Sequence, residues 1–275
     1  MPVSRSPSRD AKPAQRPRSY WPVVLIGFAA VLAVIIAALP ASIITHFLPR
    51  SVHAEDFSGS IWHGSAGKIS VNARDAGALE WRLHPAALLG MAVAADLHWV
   101  KVGFVVDAAA KIDRQGFAAH AIKGGGPIQD LHDFGVAAGW RGIADVNFSE
   151  LKSSFGEPWG EFAKPLAAVG YVHVSNLTSS QIADGADLGS YDLRLAEGAV
   201  GTDGSVTAQL TNTGGPVDMQ AVIHYAAKEH SALLTGTLRE RADAPAALRS
   251  QIDGIAQLRG RDPQGRVPVD VEFAL

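Results

Sequence analysis

Residues 78–85 read Ala-Leu-Glu-Trp-Arg-Leu-His-Pro, with Leu79, Trp81 and Leu83 alternating with Glu80, Arg82 and His84. Side chains on an extended strand point to opposite faces in turn, so this period of two predicts a strand with one buried face and one wet face. The same alternation recurs outward in both directions. Ile69 and Val71 precede it, and nine further runs follow: 91–102, 104–112, 144–151, 167–177, 189–198, 205–213, 217–228, 232–240 and 267–275. Over residues 69–112 and 205–240 the runs start roughly 8 to 15 residues apart, and throughout they are punctuated by glycine-rich or polar breaks, which predicts an antiparallel all-β array. The breaks include Gly124 to Pro127, Asp203-Gly204 and Gly214-Gly215-Pro216.

Helices are the minority in this reading. Pro85 to Leu89 predicts one short turn and 157–166 a second. Residues 244–258 predict an amphipathic helix before the last strand, with Ala247, Leu248, Ile252, Ile255 and Leu258 on one face and Asp243 at the N-cap. The break at 156–165 allows two stacked sub-sheets, but no fixed repeat period supports a solenoid of identical units. The expected fold is therefore all-β dominated: an elongated, mostly antiparallel twisted sheet with a C-terminal helix inserted before the last strand.

Ahead of this domain, residues 21–39 form a run of 19 residues without a charge. As a helix it would extend about 28 Å, close to a bilayer core of about 30 Å. Tyr20 and Trp21 sit where interfacial rings are favoured, and Pro40 ends the run. A cleavable signal peptide fits less well, because its apolar region is usually about 7–15 residues and ends in a small-x-small site. Residues 1–20 carry five basic groups and one acidic, a net of +4, and leave nineteen basic against twenty-six acidic beyond them, a net of −7. The positive flank is expected to stay in the cytoplasm and the rest to be translocated. The expected division is 1–20 as a basic disordered tail, 21–39 as a single-pass transmembrane helix, and 40–275 as a periplasmic β-rich domain. With no cysteine in the chain, thiolate metal sites, Cys nucleophiles and iron–sulfur clusters are excluded, and stability must come from packing and strand ladders.

A search for chemistry returns little. The ten His residues form no H-x-x-x-H pair, and His98, His173 and His224 fall within strand patterns. Asp130, His132 and Asp133 make a weak metal pattern in an expected loop. Ser65 in HGSAG is the nearest approach to a nucleophile elbow. Gly59 and Gly64 have Walker-like spacing, but Ser65 stands where the lysine should be, and the segment is expected between strands. Gly124, Gly125 and Gly126 lack a phosphate cradle's strand-to-helix context and read as a tight loop. No catalytic, cofactor-binding or metal-ligating residue is assigned, and no cofactor, nucleic acid or small-molecule substrate is expected.

The segment FSGSIWHGSAGKISV followed by ALEWRLHPAALLG resembles the opening of the type II secretion system protein N family. The matching positions are Gly59, Ser60, Ile61, Trp62, Gly64 and Ala66, then Leu79, Trp81, Leu83, Pro85 and Leu88. The closing helix and strand, with Gly265, Arg266 and Pro268, resemble the family's far end. This resemblance covers roughly 21–100 and 200–275. It implies a non-enzymatic inner-membrane accessory component of the Gram-negative machinery that exports folded proteins from the periplasm, with other secretion components and the inner-membrane bilayer as partners. Trp62 and Trp81 are expected to anchor the first hairpin by burial. The alternative is an AsmA-like anchored β-groove that handles lipid between membranes. A continuous apolar floor with no covering helix favours lipid; a filled sandwich favours secretion.

Overall fold

The protein was analysed as a computed structural model, which describes residues 38–49, 51–134, 136–155, 162–182, 185–226 and 231–274, together with 34 and 229. The chain divides into two units, Met1–Leu39 and Pro40–Leu275. The basic tail and all but residues 34, 38 and 39 of the expected membrane helix lie outside the described residues. Among the described residues, no helix is long and apolar enough to cross a membrane.

The second unit is one sheet. Its strands are β1 (Val52–Gly59), β2 (His63–Val71), β3 (Arg74–Leu83), β4 (Val93–Lys101), β5 (Phe104–Ile112), β6 (Gly116–Pro127) and β7 (Trp140–Phe155), then β8 (Phe162–Ser179), β9 (Asp187–Leu195), β10 (Val206–Gly214), β11 (Val217–Ala226), β12 (Ser231–Glu240) and β13 (Val267–Ala274). All thirteen pair in chain order, each antiparallel to the next, leaving β1 and β13 as the two edges. Tight turns make this order the natural one. Asn72-Ala73 joins β2 to β3 and Val102-Gly103 joins β4 to β5, and both pairs have positive φ at both residues, as in the turn whose twist matches an antiparallel hairpin.

Register turns the alternation of single strands into two continuous faces. One row of directly opposed residues crosses the sheet as Phe57, Ala66, Leu79, Trp99, Val106, Gly124, Val146, Val172, Leu193, Leu210, Ala221, Gly236 and Val269. Every member is apolar or glycine. The neighbouring row runs Ser58, Ser65, Glu80, His98, Asp107, Lys123, Asn147, Tyr171, Arg194, Gln209, Val222, Thr235 and Asp270. Twelve of its members, the amphipathic Tyr171 included, carry a charge, hydroxyl, amide or imidazole, and Val222 is the exception. A one-residue slip anywhere would exchange the two faces, so the pattern pins the register.

Three short elements cover the apolar face at three places. A 3-10 helix, Ala41–Phe47, brings Ala41 and Ile44 onto Trp81. A second, Ile128–Phe134, sets Ile128 and Leu131 beside Phe104 and Ala144. The third is α1 (Ala246–Arg259), which buries Leu248 and Ile252 against Leu188, Val217 and Val267. The core is thus three patches along one side of a single sheet, not the filling of a sandwich.

Several expectations change. Gly124, Gly125 and Gly126 are not a loop but part of the C-terminal end of β6, where an added Cβ would fall 2.1 to 2.5 Å from a carbonyl oxygen of an adjacent segment. Only glycine permits that approach. HGSAG is not between strands; it opens β2. The described part of 157–166 is strand, with Pro165 tolerated where the β7–β8 register shifts. One sheet runs through this region, so no second sub-sheet forms. α1 starts at Ala246 with Pro245 at its cap and no side-chain cap hydrogen bond, so Asp243 does not cap it. The expected apolar face of α1 is buried only in part: Ile255 is 39% and Leu258 87% exposed.

Candidate functional site

A large concavity lies on the apolar face between the middle cover and α1. It is an open cavity of about 900 Å³ whose floor is Val172, Leu193, Leu210, Ile223 and Leu238, one residue from each of β8 to β12. Ile128 lines it at the middle cover, and Leu248, Ile252 and Ile255 line it on the helix. Its polar lining is sparse. Among the described residues it consists of the Gln181 and Gln251 amides, the Trp140 indole, and the Tyr191 hydroxyl, which donates to the Leu188 carbonyl at 3.0 Å. Burial holds the Tyr191 phenol above its ordinary value, with the nearby Asp187 charge acting in the same direction. Among the described residues, no charged residue lines the cavity.

Gly254 faces this space from the third turn of α1, and a Cβ built there meets nothing within 4 Å. Helix-interior glycine costs roughly 1 kcal/mol against alanine. The cavity is therefore left open by the sequence on its helical side as well as on its floor.

The predicted metal candidates are placed elsewhere and do other work. Asp130, His132 and Asp133 lie in the 3-10 helix Ile128–Phe134. Asp133 Oδ2 accepts a hydrogen bond from Lys101 Nζ at 2.6 Å, and His132 Nε2 stands 3.5 Å from its other oxygen. Lys101 is only 3% exposed, donates also to the Asp75 carbonyl at 2.5 Å, and sits 5.0 Å from the Phe134 ring centroid. A cation held this close occupies the carboxylate, and its hydrogen bond is the main reason Asp133 stays below the ordinary carboxylate value. Among the described residues no group of three or more His, Asp or Glu is placed to hold a metal ion. This clamp ties the middle cover to β3 and β4. The signal for it was present in the sequence: Lys101 is in phase with Leu97 and Trp99, so the alternation puts a lysine on the apolar face, where it must find a carboxylate.

Histidines on the other face are paired across strands. His98 Nδ1 lies 2.7 Å from Asp107, His84 Nε2 3.0 Å from Asp96, and His173 Nδ1 2.5 Å from Asp192. His224 Nδ1 lies 3.2 Å from the Thr207 hydroxyl. Asp192 also accepts from Arg194 at 2.9 Å. The His173 bond and then the Arg194 bond lower the Asp192 pKa below 3.8. Because the folded-state value is depressed, the resulting stability is present above 3.8 and is lost as pH falls through the lower folded value. We expect Asp192→Asn to lower the melting temperature at neutral pH and the difference from wild type to shrink as pH is taken below 3.8. A difference that persists unchanged in acid contradicts this.

The motif residues of the first hairpin have a packing explanation. Gly59 has φ +78°, and its Cβ would stand 2.4 Å from the His63 carbonyl. A Cβ on Gly64 would reach 2.6 Å from the Ser60 carbonyl and 2.8 Å from the Trp81 ring, which lies across it. Trp81 is buried, and its indole nitrogen donates to the Ile61 carbonyl at 2.9 Å. Trp62 is half-buried, and its carbonyl accepts the Leu83 amide at 2.8 Å. Trp81 is thus the stronger anchor of the two.

A family model described as type II secretion system (T2SS), protein N matches residues 50–270, including the middle of the chain. No curated protein and no solved structure gives a significant match.

Proposed function

Since the chain belongs to the type II secretion system protein N family, we propose that it is a non-enzymatic accessory component of that machinery, acting through protein contacts of its sheet. In this reading residues 21–39 hold it in the inner membrane, residues 1–20 face the cytoplasm, and the sheet works in the periplasm, supporting export of folded proteins across the outer membrane.

The observation that supports the reading is that, among the described residues, the thirteen-stranded sheet ends on two edge strands with no further strand paired to them. An edge strand offers a row of main-chain donors and acceptors, and a partner strand can add to it without any active site. The two edges differ. On β13, Pro268 has no N–H to give and Arg259 donates to the Asp270 carbonyl at 3.0 Å, with Glu272 adding a further charge. These are the devices by which proteins discourage edge pairing. β1 also carries exposed charges, Glu55 and Asp56, but it has no proline and so keeps an N–H at every position, which makes it the edge with more main chain to offer.

A photo-crosslinking residue placed at His53 or Glu55 in the full chain, and at Val222 on the polar face as a control, tests this in the native host. The reading predicts adducts with another secretion component at the β1 positions and not at Val222. Equal adducts at all three positions, or adducts only with unrelated envelope proteins, contradict it.

A further inference from the structure

We propose that the cavity between the middle cover and α1 is a binding site for the hydrocarbon chain of a lipid. The inference rests on the cavity's own chemistry and does not depend on the secretion role.

Size comes first. The floor residues Val172, Leu193, Leu210, Ile223 and Leu238 stand on five successive strands. Four spacings of about 4.8 Å make a floor about 19 Å long. A bilayer core of about 30 Å holds two leaflets, so one acyl chain in it spans about 15 Å. The floor accepts one such chain laid across the strands. A volume of about 900 Å³ is within the range of built ligand pockets, roughly 300–1,000 Å³.

Chemistry selects the occupant. Ordered water needs two to four polar partners each, and among the described residues this lining offers only two amides, the Trp140 indole and one hydroxyl already engaged with a carbonyl. Water is poorly held there. A charged or multiply hydrogen-bonding ligand finds no counter-charge, whereas a methylene chain needs none. The helical wall agrees with this reading. Gly254 lines the cavity with no side chain, a Cβ built there meeting nothing within 4 Å, and Ile255 and Leu258 remain exposed beside it, extending the apolar surface.

The test uses the full chain reconstituted in vesicles of phosphatidylethanolamine and phosphatidylglycerol that carry a palmitoyl chain with a terminal diazirine. After illumination, labelled peptides are mapped by mass spectrometry, with label in residues 21–39 as internal control. Peptides containing Leu193 and Leu210 are expected to be labelled, and their label is expected to drop several-fold in Gly254→Trp, which fills the cavity. Ile255→Glu, at a position exposed enough to accept a charge without unfolding, is expected to do the same. A parallel arm with diazirine-bearing free palmitic acid separates the two sources of the chain: labelling from either supports the site, and the arm that labels names the source. Label confined to residues 21–39 in both arms, or cavity label that neither substitution reduces, overturns the proposal. So does an adduct with a second protein chain, and none with lipid, when a photo-crosslinking residue is placed at Leu210.

Discussion

Trp81→Ala is expected to destabilise the domain by about 3–5 kcal/mol, the usual cost of emptying a buried tryptophan site. The ring is 7% exposed, lies edge-on to Phe57 with centroids 6.4 Å apart, and joins Ala41 and Ala66 in the first core patch. Collapse cannot repair the loss, because Gly64 beneath the ring has no side chain to move into the gap. The substitution also strips the Ile61 carbonyl of its donor. Trp81→Phe separates the two contributions: it keeps most of the apolar contact and should cost little more than the missing hydrogen bond, about 1 kcal/mol. Denaturant melts of the three proteins check this. A Trp81→Ala loss no larger than that of Trp81→Phe would show that burial of this ring is not what holds the first hairpins to the sheet.

Gly189→Ala is the second large effect, and it comes from one methyl group. Gly189 has φ +94°, and a Cβ there would lie 2.0 Å from the Gly214 carbonyl oxygen and 2.7 Å from the Gly215 Cα. Gly215 approaches in return, with its own Cβ position 2.4 Å from the Gly189 Cα. Two glycines pack main chain on main chain, so no flexible side chain can yield. Holding alanine in that region costs about 1–3 kcal/mol before any clash is relieved, and relief requires the β10–β11 turn to move. Leu188, next in sequence, is 5% exposed in the third core patch, so the damage should reach the cavity floor. Gly254→Ala is the internal contrast. Its built Cβ meets nothing within 4 Å, so the same substitution should stabilise α1 by up to roughly 1 kcal/mol. Opposite signs in thermal melts confirm the packing account; equal losses at both sites contradict it.

Much of the fold was legible because a half-buried strand writes its burial directly into the sequence. β5 occupies the predicted run 104–112, and β11, β12 and β13 start within a residue of theirs. The helix before the last strand was equally plain from Leu248 and Ile252. What failed failed for nameable reasons. Gly124 to Gly126 look like a turn until the strands on either side are known, since close approach of neighbouring main chain leaves no local mark. Asp133 looked like a ligand because its partner Lys101 is 32 residues away. The cavity was not legible at all. Val172, Leu193 and Leu210 alternate as core residues would, and nothing in the pattern tells a filled face from an open one.

The two readings offered by the sequence were separated by what covers the apolar face, and the structure falls between them: a single sheet with three local covers and an open floor beside α1. A secretion role at an edge and a lipid chain on the face use different surfaces, so they can coexist in one molecule.

The most direct measurement is deletion of this gene in its own host, with secreted and periplasmic proteins quantified by mass spectrometry beside an outer-membrane integrity assay. Accumulation of folded exoproteins in the periplasm with an intact envelope is the predicted result. Normal secretion with a leaking envelope or an altered lipid composition would contradict the secretion role and leave the groove as the working part of the protein.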